Sequence, residues 1–304
     1  MINRYKPFPP GWNNIQVPTH RRSATLAGIA TYGPCAARGV WAQRAAWGLV
    51  TLGGPRLLPG RTRGWQPSLA ADDWAQLQDD LTATVGPFDS HTVYERRDNR
   101  QGLLMLLLDG DRSVGFVKAR AGDTNGVVRE EEALLLVERA KVGSFVAPRV
   151  LGSGTVAGWR YLVTSPMPPR MHRMPKAPPR AAIYDDISLA LGDLDKGPDA
   201  AEGWLPFHGD FTPWNLRQIR DATPWLIDWE DAGWGPPDAD RVFYEASAAA
   251  IGHPVSNAPL EDSEAVSYWW DEMNRRTRDK LADGIELGRI DYGMLDALAA
   301  GSRS

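Results

Sequence analysis

The sequence predicts an α+β protein of two lobes, a small antiparallel sheet with one helix and then a mainly helical lobe, with an extra N-terminal segment. Three observations indicate this architecture. Residues 85–168 alternate as strand, strand, helix, strand and strand and end at a proline-rich break, which is typical of one compact α+β unit. Residues 169–304 are mostly helical in pattern. Residues 1–84 are instead rich in Pro, Gly, Trp and Arg and form a partly helical extension.

The N-terminal segment carries two predicted helices. Pro34 is typical of a first helical turn, and the pattern predicts a helix to about Val50. The apolar positions assigned to one face of it are Ala37, Val40, Trp41 and Ala45. The second helix, capped by Asp72 or Asp73, carries Trp74, Leu77 and Leu81. We expect the segment to pack on the main domain, and packing on the large lobe is a hypothesis. The alternative, an amphipathic helix for a membrane surface or a partner, is disfavoured by the few basic residues on its polar face.

The predicted small lobe begins with a β-hairpin. Leu103–Leu108 and Val114–Ala119 are its strands, and the turn between them reads Asp-Gly-Asp. The sequence VVREEEALLLVERA predicts the helix that follows, with acidic residues in its early turns and an apolar stripe. Further strands are predicted at Val146–Gly152 and Trp159–Thr164.

The composition excludes several classes of function. The chain of 304 residues is 43% hydrophobic and 24% charged, which is ordinary for a globular protein. Its net charge of −4 argues against nucleic acid as a partner. The single cysteine, Cys35, excludes an internal disulfide, and the scattered histidines do not have the spacing of zinc ligands. Because Arg38 and Arg44 interrupt the apolar stretch and no secretory signal precedes it, we expect a cytoplasmic protein with no transmembrane segment. Oligomeric state is not indicated.

Three polar residues in the large lobe form a candidate catalytic centre. Asp210 and Asn215 lie five residues apart in a loop that contains Gly and Pro, and Asp228 follows an apolar strand thirteen residues later. The residues between them resemble the turn of a hairpin. Transfer of a phosphoryl group needs Mg²⁺ held by hard oxygen ligands, and a carboxylate that orients the acceptor hydroxyl and takes its proton. One loop and one hairpin would bring these groups to a single point.

These residues resemble known motifs. HGDFTPWNL is similar to the catalytic loop of the aminoglycoside phosphotransferase and choline kinase family, and LIDWED to the metal-binding segment of that family. The GPPDAD that follows is similar to the family's continuation. The resemblance implies a protein kinase-like fold and a phosphotransferase that moves the terminal phosphoryl group of ATP or GTP to a hydroxyl of a small molecule. That acceptor would be a sugar, an amino sugar, an aminoglycoside or an amino alcohol.

The resemblance also implies roles for individual residues. Asp210 would be the base, and His208 would support the loop, with Asp240 bracing it. Asn215 and Asp228 would hold Mg²⁺. In the small lobe, Lys118 would contact the nucleotide phosphates, and its ion-pair partner would be one of three consecutive glutamates, of which Glu131 is preferred over Glu130 and Glu132. Met167 would pack on the base at a hinge that spans Ser165 to Pro169.

Some features leave alternatives open. A glycine-rich phosphate loop is absent, and Arg96, Arg97 or Arg100 would approach the phosphates or remain exposed. The tryptophans near the motifs, Trp204, Trp214, Trp229 and Trp234, would either stack on the acceptor or belong to the core. The aspartates Asp185, Asp186, Asp193, Asp195 and Asp199 would favour a cationic acceptor or be solvated, and we prefer the second interpretation. The alternative function is a catalytically inactive pseudokinase that binds a nucleotide or a partner.

Overall fold

The computed structural model describes residues 4–9, 15–94, 102–198, 200–256 and 263–301. The chain forms two compact units. Unit 1 contains residues 1–131 and 148–173, and unit 2 contains residues 132–147 and 174–304. The boundary predicted at residue 168 therefore lies five residues before the observed change, and residues 132–147, predicted to belong to the small lobe, are part of unit 2.

Unit 1 is built on an antiparallel sheet. The strands in chain order are β1 (Tyr5–Phe8), β2 (Ile15–Pro18), β3 (Ser90–Tyr94), β4 (Gly102–Asp109), β5 (Arg112–Ala121), β6 (Val150–Val156) and β7 (Trp159–Thr164). Their spatial order is β1-β2-β3-β4-β5-β7-β6. The predicted hairpin is confirmed as β4 and β5, and β7 has the predicted bounds. The strand predicted from Val146 begins instead at Val150, because the backbone of Val146 pairs with Trp225 within unit 2.

The N-terminal segment extends this sheet rather than forming a separate unit. Strand β2 pairs with β3 through Ile15 opposite Tyr94 and Gln16 opposite Val93, so β1 and β2 continue the sheet beyond the predicted small lobe. The segment also supplies three helices and a 3-10 turn: α1 (Arg22–Thr31), α2 (Ala37–Gly53), the turn Pro55–Leu57 and α3 (Ala71–Val85). All of these belong to unit 1, which carries the predicted small lobe, and this differs from the hypothesis that the segment packs on the large lobe.

Helix α3 covers the sheet with its apolar side. Leu77 and Leu81 are fully buried and pack in one core cluster with residues of β3, β4, β5 and β7. The helix begins two or three residues earlier than a cap at Asp72 or Asp73 would place it, since its N-cap is Ala70. The two aspartates lie in the first turn, where their charge is favourable to the N–H groups of the helix end.

Helix α2 buries a different face from the one predicted. It begins at Ala37, and its buried residues are Gln43, Ala46 and Val50. Trp41, predicted to lie on the packed face, is 69% exposed. Alanine, tryptophan and leucine occur on both sides of this helix, so an apolar pattern alone does not identify the side that packs.

Unit 2 is mainly helical. It contains the C-terminal part of α4 (Asn125–Ala140), then α5 (Ala181–Ala190), α6 (Ala239–Ile251), α7 (Glu264–Ala282) and α8 (Arg289–Gly301). Two small antiparallel pairs carry the motifs: β8 (Leu205–Phe207) with β11 (Gly233–Gly235), and β9 (Leu216–Arg217) with β10 (Trp225–Leu226). The core of α6, α7 and α8 centres on Phe243, Trp269 and Leu298. Within the described residues, no helix is long and apolar enough to cross a bilayer.

Candidate active site

The loop after β8 is held by a carboxylate of α6. One Asp240 oxygen accepts the backbone N–H of His208 at 2.8 Å, and the other accepts that of Gly209 at 3.2 Å. Burial raises the pKa of Asp240 to about 7, although these two N–H donors oppose the shift. Asp240 thus fixes the backbone immediately before Asp210, which agrees with the bracing role that the resemblance implies.

Gly209 permits a close approach between the two motifs. Its φ is +81°, and a Cβ added there would lie 1.9 Å from the carbonyl oxygen of Asp231. No side chain fits at that distance, and the left-handed conformation itself favours glycine. The loop and the segment after β10 can therefore touch only because residue 209 is glycine.

His208 joins the loop to the strand that leads to Asp228. The backbone N–H of Asp210 donates to His208 Nδ1 at 3.2 Å, so that nitrogen carries no proton. The ring proton then lies on Nε2, which donates to the carbonyl of Ile227 at 3.2 Å. The imidazole is fully buried and packs on Trp229, with ring centroids 4.5 Å apart. His208 therefore bridges the loop and the strand, and its role in supporting the loop during catalysis stays a prediction.

Asp210 and Asn215 are in direct contact. The Asn215 side-chain amide donates to the Asp210 carboxylate at 2.7 Å and to the Asp210 carbonyl at 2.9 Å. These bonds fix the orientation of the carboxylate and direct the amide nitrogen of Asn215 toward it. The amide oxygen of Asn215 is consequently the atom available to a cation.

Asp228 follows the predicted hairpin. Strands β9 and β10 pair with Leu216 opposite Leu226, and the N–H of Ile227 donates to the carbonyl of Asn215 at 3.1 Å. Asp228 itself has φ of +70°, a conformation that is uncommon for a residue with a Cβ and that is often found at functional sites. The hairpin thus brings Asp228 next to the loop that carries Asp210.

Negative charge accumulates around Asp210. Burial is the largest factor that raises the pKa of Asp210 well above its usual range, and the charges of Asp228 and Asp231 raise it further. The Arg276 guanidinium and the hydrogen bond from Asn215 oppose this increase. Neighbouring carboxylates that repel one another are typical of sites that bind a cation or transfer a proton.

Arg276 of α7 is a site residue that the sequence analysis missed. Its Nε donates to Glu272 at 2.7 Å, and its Nη1 lies 3.9 Å from a carboxylate oxygen of Asp231. The guanidinium carbon is 5.5 Å from the ring centroid of Trp269. The only sequence signal was a glutamate four residues before an arginine, which any exposed helix can carry.

The oxygen-rich donor set fits a magnesium ion. Asn215 and Asp228, both predicted metal ligands, offer an amide oxygen and carboxylate oxygens, which are the hard ligands that Mg²⁺ prefers. Glu230, for which the sequence analysis gave no role, has a carboxylate oxygen within 4.8 Å of one of Asp228. A divalent cation would offset the repulsion among these carboxylates.

Unit 1 holds the predicted lysine in an ion pair with a different glutamate. Lys118 of β5 and Glu130 of α4 are both buried, and their charged atoms are 2.5 Å apart. The preference for Glu131 was wrong: its carboxylate accepts hydrogen bonds from Arg160 and Ser153, each at 2.6 Å. Consecutive helical residues point roughly 100° apart, so only one of the two glutamates can face β5.

The predicted hinge is partly tied to its own sheet. The N–H of Ser165 donates to the carbonyl of Arg149 at 2.7 Å, so it is not available to a purine. Met167 is half-buried, and its role at the base stays a prediction. Arg96, Arg97 and Arg100, considered as substitutes for a phosphate loop, lie outside the described residues.

The tryptophans near the motifs have different environments. Trp229 is fully buried and packs against Phe145 as well as His208, so it belongs to the core. Trp234 donates to the carbonyl of Leu194 at 3.1 Å. Trp204 donates to Glu264 at 2.8 Å. These contacts account for Trp204, Trp229 and Trp234 without an acceptor, whereas Trp214 is half-buried and its role stays a prediction.

Of the aspartates that precede the loop, Asp186 has a structural contact, whereas Asp185, Asp193 and Asp195 are exposed, in line with the preferred interpretation that they are solvated. Asp186 accepts the N–H of Ser144 at 3.0 Å, and Asp193 is exposed near Arg139. Asp199 lies outside the described residues.

The chain is similar in sequence to one protein family and in structure to solved phosphotransferases. The sequence model of the phosphotransferase enzyme family matches residues 184–269. Spectinomycin phosphotransferase, in its complex with ADP and spectinomycin, is 10% identical with a TM-score of 0.50, over 79% of this chain and 100% of that chain. An aminoglycoside phosphotransferase of Streptomyces rimosus is 14% identical with a TM-score of 0.39, over 76% and 99% of the two chains. No curated protein matches the sequence.

The similarity to spectinomycin phosphotransferase establishes the predicted kinase-like fold. The matched residues include all three motifs, which lie between residues 207 and 240. The predicted resemblance is therefore confirmed for this segment, which matches the phosphotransferase enzyme family, and the fold is that of the kinase-like phosphotransferases.

Proposed function

We propose that the protein transfers the terminal phosphoryl group of ATP or GTP to a hydroxyl of a small molecule, such as a sugar, an amino sugar, an aminoglycoside or an amino alcohol. The observation that supports this most directly is the fixed pair of Asp210 and Asn215 beside Asp228. The pair combines a carboxylate of set orientation with an amide oxygen suited to a cation.

Asp210 is assigned as the group that receives the acceptor proton. The hydroxyl oxygen attacks the terminal phosphorus, its O–H proton passes to the Asp210 carboxylate, and the bond between that phosphorus and the bridging oxygen breaks. The nucleoside diphosphate leaves with the electrons of that bond. Asn215 holds the carboxylate toward the acceptor, and His208 and Asp240 keep the loop in place.

Asn215 and Asp228 would hold Mg²⁺, with Glu230 as a further candidate ligand. The ion would neutralise charge on the phosphate oxygens. Lys118 is assigned to the nucleotide phosphates, with Glu130 fixing its ammonium group.

The decisive experiment measures Mg²⁺-dependent nucleotide turnover against a panel of sugars, amino sugars, aminoglycosides and amino alcohols. Asp210→Asn should lower turnover by about 10²- to 10⁴-fold, because a positioned base contributes on that order. Its melting temperature and its nucleotide affinity should stay close to wild type, since the substitution preserves shape.

The outcomes separate the alternatives. Turnover that one acceptor stimulates and Asp210→Asn abolishes supports the proposal and identifies the acceptor class. Near-normal turnover by the variant contradicts the role of Asp210. Nucleotide binding without turnover for any acceptor favours the pseudokinase alternative.

A further inference from the structure

Among the described residues, helix α2 is anchored through one of its faces. The Gln43 side-chain amide donates to the carbonyls of Ile29 at 2.9 Å and Tyr32 at 2.7 Å, which ties the helix to the end of α1. Ala46 and Val50, one and two turns further on, are buried in a cluster with residues of β1 and β2. These contacts fix which side of α2 points outward.

The outward side is apolar. Trp41 is 69% exposed, Leu49 41% and Leu52 86%, and their spacing of eight and three residues places them on one stripe. Leu57, 50% exposed, extends the stripe from the 3-10 turn, since a Cβ on Gly53 would meet its side chain. We call Trp41, Ala45, Leu49, Leu52 and Leu57 the α2 patch. Exposed apolar residues that form one continuous stripe mark an interaction site.

Positively charged residues lie beside the patch. Arg38 lies within the exposed stripe, and the Arg44 guanidinium carbon lies 5.8 Å from the ring centroid of Trp41. Arg56 is exposed beside Leu57. Residues 1–71 contain nine Lys and Arg and no Asp or Glu, whereas residues 72–304 contain 25 basic and 38 acidic residues. The net charge of −4 is therefore the sum of a basic N-terminal segment and an acidic remainder.

A membrane-surface helix was disfavoured by the few basic residues opposite the predicted face, but the exposed face is a different one and has Arg38, Arg44 and Arg56 beside it. Apolar side chains flanked by arginines are typical of helices that lie on an anionic membrane. Tryptophan suits the interface because its ring is amphipathic, and arginine can bury its stem while its head reaches the phosphates. A second copy that used the same patch would bring its own arginines opposite these, which is unfavourable. We propose that the α2 patch docks on a lipid surface that carries anionic headgroups, with α2 parallel to that surface.

The test is co-sedimentation of the full chain with vesicles of phosphatidylcholine, with and without phosphatidylserine. Binding should require phosphatidylserine and weaken with salt. Leu52→Glu should lower the vesicle partition coefficient by about tenfold or more, since it removes buried apolar area and adds a repelled charge. Arg38→Gln and Arg44→Gln should each lower it about fivefold. Leu189→Glu is the matched control. Leu189 is also highly exposed, at 72%, but it lies on α5 and belongs neither to the α2 patch nor to the basic N-terminal segment.

Binding that Leu52→Glu weakens and Leu189→Glu does not supports the proposal. Three results would overturn it. The first is no binding to either kind of vesicle. The second is equal binding by wild type and Leu52→Glu, which charge alone would explain. The third is a dimer in sedimentation analysis that Leu52→Glu dissociates in the absence of vesicle binding, which would assign the patch to a second copy.

Discussion

Two neighbouring glutamates on α4 make different contacts because they point in different directions. Glu130→Gln should lower kcat/KM for the nucleotide by about tenfold or more, since the buried ammonium of Lys118 would lose one negatively charged partner. Glu131→Gln is the control and should stay within about twofold, because it only breaks contacts with Arg160 and Ser153. Steady-state kinetics with varied nucleotide measures both. Equal losses in the two variants would contradict the assignment of Glu130.

Two consecutive arginines on α7 offer a similar comparison. Both donate to Glu272, but Arg276 also faces Asp231 and opposes the negative charge around Asp210. Arg276→Met should therefore lower catalytic efficiency by about tenfold or more, as expected for loss of one partly buried charge interaction. Arg275→Met should change it less than about twofold, because that side chain is largely exposed. The measurement is kcat and KM of both variants, with melting temperatures to show that both are folded. Unchanged catalytic efficiency of Arg276→Met would contradict a role of this residue in the site.

At the scale of elements, β3 carries a buried histidine that makes the stability of the fold depend on pH. His91 shares a hydrogen bond of 3.0 Å with Tyr5 and is packed among Trp65 and Trp74. Burial lowers the pKa of His91 from 6.5 to about 4. Above pH 6.5 both folded and unfolded chains keep this group neutral. As the pH falls, the unfolded chain binds a proton that the folded chain cannot, so stability decreases until the folded pKa is reached.

This difference predicts that about 3 kcal/mol of unfolding free energy is lost between pH 7.5 and pH 4 through His91. His91→Gln, which keeps an acceptor for Tyr5, should flatten that part of the pH profile. His20→Gln, at an exposed position, should not. Urea unfolding across the pH range is the measurement, and identical slopes in all three proteins would exclude His91 as the sensitive group.

At the scale of the whole molecule, the first 84 residues are part of the sheet domain and not an appendage. They supply β1 and β2, which pair onto β3, and α3, whose Leu77 and Leu81 are fully buried. Deletion of residues 1–84 should therefore give a chain that is insoluble or lacks a cooperative melting transition, because it exposes a sheet edge and the core beneath α3.

A milder variant checks the same interpretation. Leu81→Ala should cost about 2–5 kcal/mol of unfolding free energy, as expected for a fully buried leucine. Leu189→Ala, at an exposed position, should cost less than about 0.5 kcal/mol. A deletion protein that melts like the full chain would show that β1, β2 and α3 are dispensable.

The sequence alone determined which residues of the large lobe form the candidate centre. Asp210, Asn215 and Asp228 were predictable as one centre because they lie within nineteen residues of one loop and one hairpin, where spacing along the chain fixes spacing in space. The β4–β5 hairpin and α3 were predictable for the same reason, since alternation and helical period are local properties.

Only the tertiary structure decided the features that depend on distant packing. Arg276 lies more than sixty residues after Asp210 in the chain, and no local pattern distinguishes it from Arg275. The choice of Glu130 over Glu131 depends on which side of α4 meets β5. The buried side of α2 depends on contacts with α1, β1 and β2, because both of its sides are apolar. Spacing along one segment fixes which of its residues can lie close together. Packing between segments fixes which side of each helix is buried and which side is exposed.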